Sequence, residues 1–196
     1  MSDYSEIDNF NNIAIIGMGG KFPGANNLQE YWHNLQNGVE SISFFSDEEV
    51  ELISSNRNLL EHPNYVKAHG FLKDVELFDA NFFGYAPRDA EILDPQARLF
   101  LECAWEVLET AGYDSENYDG RISIYAGASV NTYFLFHLFS RPELIASIGS
   151  DQLKFANQQD LLTTRVAYKL NLQGSEITIQ TACSTSLVAV HLACQS

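Results

Sequence analysis

Apolar positions recur along the chain in two rhythms, and their order predicts an α/β protein. Ile13-Ala14-Ile15-Ile16 is wholly apolar and closed by Gly17, the pattern of a strand buried on both faces. Leu28, Tyr31, Trp32 and Leu35 fall at i, i+3, i+4 and i+7, which predicts an amphipathic helix ending near Asn37-Gly38. Residues 40–75 mix acidic, polar and short apolar pieces and are expected to be loop-rich. Asp94-Pro95 has the form of an N-cap followed by proline at the first helical position. Leu101, Ala104, Trp105 and Leu108 continue that helix, and Gly112 closes it. Phe100 and Val107 add apolar surface on its other sides, so it is expected to be largely buried. Arg121–Gly127 alternates like a strand, and residues 152–170 suit one helix before Gly174 breaks the pattern. Glu176–Gln180 alternates again, and Leu187, Val190, His191 and Cys194 follow at helical spacing. Strands interleaved with helices, without hairpin signals between them, imply crossover connections.

Charge and cysteine content narrow the partners. The 196 residues are 45% hydrophobic, enough for one sizeable core, and 11 basic against 26 acidic residues give a net charge of −15. Such a surface repels phosphate backbones and anionic lipid, so neither a nucleic acid nor a membrane is an expected partner. Residues 1–11 are polar, lack an apolar signal core and are expected to form a loose leader. No apolar stretch is long enough to span a bilayer, which points to a cytoplasmic protein. Cys103, Cys183 and Cys194 are odd in number and show no CxxC spacing, which argues against a disulfide framework and a structural zinc site.

The candidate chemistry lies in Thr181-Ala182-Cys183-Ser184-Thr185-Ser186, between a predicted strand and a predicted helix. A cysteine at a helix entrance faces unpaired backbone N–H groups and the positive end of the helix dipole, and both favour its thiolate. The same N–H groups can stabilise the oxyanion of a tetrahedral intermediate. Local physics leaves the alternative of a buried structural cysteine open. Cys194, on the apolar stripe of the following helix, and Cys103, inside the helix after Asp94, are expected to be core residues.

Six ordered segments resemble one family. Asn12–Gly24 resembles the opening strand and G-M-x-x-R-F-P-G loop of ketosynthase domains from modular type I polyketide synthases. Gly70-Phe71-Leu72 and Phe78–Gly84 resemble that family's G-F-L and F-D-A-x-F-F-G segments. Pro87–Glu91 and Leu93–Leu99 resemble its P-R-E-A-E and M-D-P-Q-Q-R-L stretches, and Thr181–Cys194 resembles T-A-C-S-S-S-L-V-A-x-H-x-A-C. Lys21, Asp89, Ala97 and Thr185 depart from the pattern without touching the nucleophile.

The resemblance implies a thiolase-like fold, of which this chain holds the first half of a duplicated layered α/β unit spanning 12–196. It implies a β-ketoacyl synthase, an acyltransferase performing decarboxylative Claisen condensation in polyketide biosynthesis. Cys183 is then the acyl-thioester nucleophile, and its backbone N–H an oxyanion donor. Substrates arrive on the phosphopantetheine of acyl carrier protein domains, with no cofactor bound directly. A homodimer and other synthase modules are the further expected partners. A fatty-acid chain-elongating synthase is the nearest alternative. A truncated, non-catalytic dimerising or carrier-docking remnant is another.

The family's H-G-T-G-T and N-I-G-H histidine motifs, which lie C-terminal to the nucleophile, do not occur here. Condensation by these residues alone is therefore not expected. His191 lies eight residues after Cys183, roughly 12 Å along a helix, beyond the ~3 Å of a hydrogen bond, and is expected to be a packing residue. His137, among Phe134, Phe136 and Phe139, is expected to be a core histidine, with those phenylalanines lining an acyl tunnel or dimer surface. A dinucleotide fingerprint fails because Phe22 stands where its third glycine belongs and Pro23 follows. A nucleophile elbow of the hydrolase type wants glycines where Thr181 and Thr185 stand.

Overall fold

The computed structural model describes residues 12–53 and 57–196, so the expected leader at residues 1–11 lies outside the described residues. Two compact units emerge: residues 19–75, and residues 12–18 together with 76–196.

In the unit of residues 19–75, α1 (Leu28–Gln36) begins at Asn27, whose side chain accepts the Glu30 N–H. Glu30 in turn accepts the Asn26 N–H at 2.8 Å. These reciprocal bonds satisfy donors that a helix start leaves orphaned. Gly38, at φ +60°, lets the chain turn away just past the helix end. The loop-rich expectation for residues 40–75 holds in large part. Two-residue strands β1 (Ser43–Phe44) and β2 (Ala68–His69) pair antiparallel, and α2 (Asp47–Ile53) and α3 (Arg57–Leu60) are short. Lys67 and Asp47 form an ion pair there.

The other unit carries the rest. Its α4 (Pro87–Ile92) and α5 (Pro95–Thr110) precede β3 (Ile124–Ala126), and β4 (Glu176–Thr178) pairs parallel with β3. Between the strands run α6 (Pro142–Ile148), α7 (Ser150–Ala156) and α8 (Leu162–Lys169), the crossover that parallel pairing requires. After β4 comes α9 (Thr185–Gln195), which packs against β3. Leu101 of α5, Ile124 of β3 and Val166, Ala167 and Leu170 of α8 share one apolar cluster, which fixes the strands against the helices. No helix among the described residues is long and apolar enough to cross a membrane.

Several expectations need correction. Ile13–Ile16 forms no strand: Ile13, Ile15 and Ile16 are 60–80% exposed, because no described strand lies alongside to supply a hydrogen-bonding row. Gly17, just beyond, approaches α5 so closely that a Cβ would stand 3.0 Å from the Val107 carbonyl oxygen. The predicted helix over 152–170 is split, because buried Asn157 leaves α7 to donate to the Ile92 and Leu153 carbonyls and to accept from Asn131. Helix α5 buries Ala97, Arg98 and Leu101 but shows Trp105 to solvent, where it meets Phe82 edge-on at 5.1 Å.

Helix α9 turns a different face inward from the one its spacing suggested. Ala189 is buried, whereas Leu187, Val190, His191 and Cys194 are exposed. The helix is apolar on nearly every side, so periodicity could not choose among its faces. Cys194 is therefore not a core residue, and His191 is not a packing one. His137 is exposed as well, stacked on Tyr133 at 5.5 Å.

Candidate active site

Strand β4 ends at Thr178, and Ile179 extends its pairing by donating to the Ala126 carbonyl at 2.8 Å. The next residues turn the chain into α9. Ala182 adopts φ +53°, a left-handed conformation that costs a residue with a Cβ about 1–2 kcal/mol. Ala182–Ser184 forms one 3₁₀ turn leading into α9, and Cys183 stands exposed upon it.

Side chains hold this turn on both flanks. The Thr185 hydroxyl accepts the Thr181 N–H at 3.0 Å and lies 2.8 Å from the Ala182 carbonyl. Gln180 Oε1 accepts the Ala182 N–H at 3.2 Å, and the Ser184 hydroxyl donates to the Thr181 carbonyl at 2.8 Å. The Cys183 N–H, by contrast, meets no acceptor among the described residues. One donor is thus left free beside the sulfur.

The turn overlooks an open cleft of about 1190 Å³ between α9 and β3, lined by Ala182, Cys183, Ser186 and Val190 on one side and by Tyr125 and Ser129 on the other. Phe134–Phe139 is not part of this lining. Phe134–Leu138 forms a π-helical turn instead, with Phe136 and Phe139 exposed. Gly127 is what allows the close fit of wall and turn. A Cβ there would lie far inside van der Waals contact with both the Ile179 carbonyl oxygen and the Thr185 methyl group.

Three glutamines that sequence reasoning did not single out as site residues fix the facing loop. Gln180 donates to the Ala128 carbonyl at 2.8 Å. Gln96 accepts the Ser129 N–H at 2.9 Å and donates to the Ser129 carbonyl, which Gln159 also meets. Gln96 in turn is bonded through its backbone N–H and side-chain amide to the N-cap carboxylate of Asp94. Burial holds the Asp94 carboxyl above the usual carboxylate range, against the opposing pull of the Gln96 bonds and of Arg98. The only signal available was the Asp94-Pro95-Gln96 motif itself, which carries no pointer to a loop 33 residues away.

Of the three cysteines, Cys183 alone lines this cleft, while Cys103 is half-buried and Cys194 exposed. Among the described residues no group of three or more His, Cys, Asp and Glu side chains is placed to hold a metal ion.

The fold and this turn define an α/β protein that displays a cysteine at a strand-to-helix junction. The chain belongs to the β-ketoacyl synthase family: residues 10–196 match its description "Beta-ketoacyl synthase, N-terminal domain". It is 44% identical over 192 residues to a phenolphthiocerol/phthiocerol polyketide synthase of Mycobacterium tuberculosis, covering 95% of this chain and 13% of that protein. Polyketide synthase PksL of Bacillus subtilis is 35% identical over 199 residues, or 94% of this chain and 4% of that one. Among solved structures, ketosynthase twelve of the bacillaene polyketide synthase from Bacillus amyloliquefaciens superposes with a TM-score of 0.79 at 38% identity, over 93% of this chain and 32% of that one. The module 1 ketosynthase of the bacillaene synthase from B. amyloliquefaciens FZB42 gives 0.76 at 36% identity, covering 95% and 32%. The thiolase-like fold expected from the sequence is therefore the fold observed. The chain spans about a third of the ketosynthase chains it matches and a far smaller part of the synthases.

Proposed function

We propose that this chain supplies the acyl-accepting part of a β-ketoacyl synthase site, with Cys183 as the nucleophile. The observation that carries the reading is the placement of Cys183, exposed on a strained turn over the cleft with its own N–H unpaired. In the first step the Cys183 sulfur attacks the carbonyl of an acyl thioester. The Cys183 N–H stabilises the oxyanion, and the phosphopantetheine thiol of a carrier protein leaves with the proton. In the condensation a malonyl-type thioester loses CO₂, its carbanion attacks the acyl-Cys183 carbonyl, and the Cys183 sulfur departs.

Charge developing on the enolate needs donors held ready in a dry site, and the resemblance assigns them to two histidine motifs absent from these 196 residues. Acylation is accordingly the part of the reaction assigned to this chain. The relatives at 35–44% identity are polyketide synthases, which supports the polyketide over the fatty-acid reading. Carrier domains, neighbouring synthase modules and a second copy of the chain are the partners this role requires. Three cysteines outside any disulfide suit a reducing cytoplasm.

The test is incubation of the chain with an acyl thioester, followed by intact-mass measurement. One acyl group should appear on the wild type and none on Cys183→Ala. Equal labelling of both would remove Cys183 from the role. Sustained formation of a ketone product by the chain alone would show that the histidine motifs are dispensable.

A further inference from the structure

We propose that Thr185 is a positioning residue for Cys183, resting on the acyl-acceptor reading above. A left-handed alanine persists only where its surroundings over-determine it. Thr185 bonds to the backbone on both sides of that alanine: its hydroxyl accepts the Thr181 N–H at 3.0 Å and reaches the Ala182 carbonyl at 2.8 Å. Gln180 Oε1 completes the arrangement, holding the Ala182 N–H and lying 3.2 Å from the same hydroxyl. The N–H groups of Thr181 and Ala182 are thereby consumed, and that of Cys183 is the one left for a reacting carbonyl.

The other end of the side chain has its own seat. The Thr185 methyl group lies against Gly127, in space that any Cβ at position 127 would occupy. Hydroxyl and methyl thus hold the turn from opposite directions, one through the backbone beside Cys183 and one through the cleft wall. Serine at this position keeps the first hold and loses the second. Valine keeps the shape and loses the hydrogen bonds.

That difference supplies the experiment. Thr185→Val and Thr185→Ser are compared with wild type in the full chain by the rate of Cys183 acylation across acyl-thioester concentrations. Amide hydrogen exchange at Thr181 is measured alongside. For Thr185→Val we expect a tenfold or greater loss in the saturating acylation rate, a half-saturating concentration within twofold of wild type, and lost protection of the Thr181 amide. Thr185→Ser should retain that protection and acylate within about threefold of wild type.

A valine variant acylated at the wild-type rate, or one with Thr181 still protected, overturns the assignment. Equal slowing of the serine and valine variants also overturns it, since the hydroxyl would then not be the determinant. A wild-type chain that takes no acyl group counts against the acyl-acceptor reading, and the exchange measurement then judges the Thr185 hold independently.

Discussion

Replacing Gly127 with alanine tests whether the cleft wall and the nucleophile turn are fitted to each other. Gly127 does not adopt a positive φ, so alanine is permitted by the backbone and space alone decides the outcome. The added methyl would overlap the Ile179 carbonyl oxygen and the Thr185 methyl group. A carbonyl oxygen belongs to the backbone and cannot rotate aside, so the end of β4 has to move. Overpacking of this kind costs about 1–3 kcal/mol. Displacing Ile179 weakens its 2.8 Å bond to Ala126, worth about 1 kcal/mol. The smaller conformational freedom of unfolded alanine returns about 0.4–1 kcal/mol. The net expectation is a loss of about 1–3.6 kcal/mol, read as a lower midpoint in urea with an unchanged slope. Acylation of Cys183 should slow in the same variant. Adding Thr185→Ser to Gly127→Ala removes one of the two overlaps and should recover part of the stability loss, a coupling that a double-mutant cycle isolates. A Gly127→Ala chain as stable and as readily acylated as wild type would refute the fitted geometry.

Asp94 should show a pH signature. Burial raises its folded pKa above the ordinary ~3.9, so its favourable contribution is full below that value and is lost as pH rises through the folded pKa. Asp94→Ala, which removes the α5 cap, should therefore cost more near pH 4 than near pH 7, with about 0.5–2 kcal/mol as the scale. Urea titrations at several pH values check this, and a cost that grows with pH would contradict it. Exposed Ile13, Ile15, Leu187 and Val190 predict self-association, which sedimentation velocity should show as dimers or larger species. A clean monomer at tens of micromolar would rule it out.

Much of this arrangement was legible in the sequence because its signals are local. Asp94-Pro95 marked the start of α5, since an N-cap and a first-turn proline act within one turn. The strand–Cys183–helix order was equally plain, and family motifs assigned it. What escaped were features decided by distant residues. Nothing in Asn157 announces that it will leave its helix for Ile92, 65 residues away. Helix α9 offered apolar residues on nearly every side, so only packing could select Ala189. Ile13–Ile16 carries the composition of a doubly covered strand, but a ladder needs neighbours that the residues themselves cannot specify. The strain at Ala182 was hidden as well, because alanine is an ordinary residue until its φ is seen.

The chain from the Asp94 carboxylate through Gln96 to Ser129 has an implication beyond holding a loop in place. It makes the first turn of α5 and the cleft wall near Cys183 members of one hydrogen-bonded set, so their free energies are linked. Linkage is reciprocal: whatever a change at the Asp94 cap does to binding in the cleft, an occupant of the cleft must do to the cap. An acyl chain resting against Ser129 would then be felt at the start of a 16-residue helix, as slower opening of its first turn.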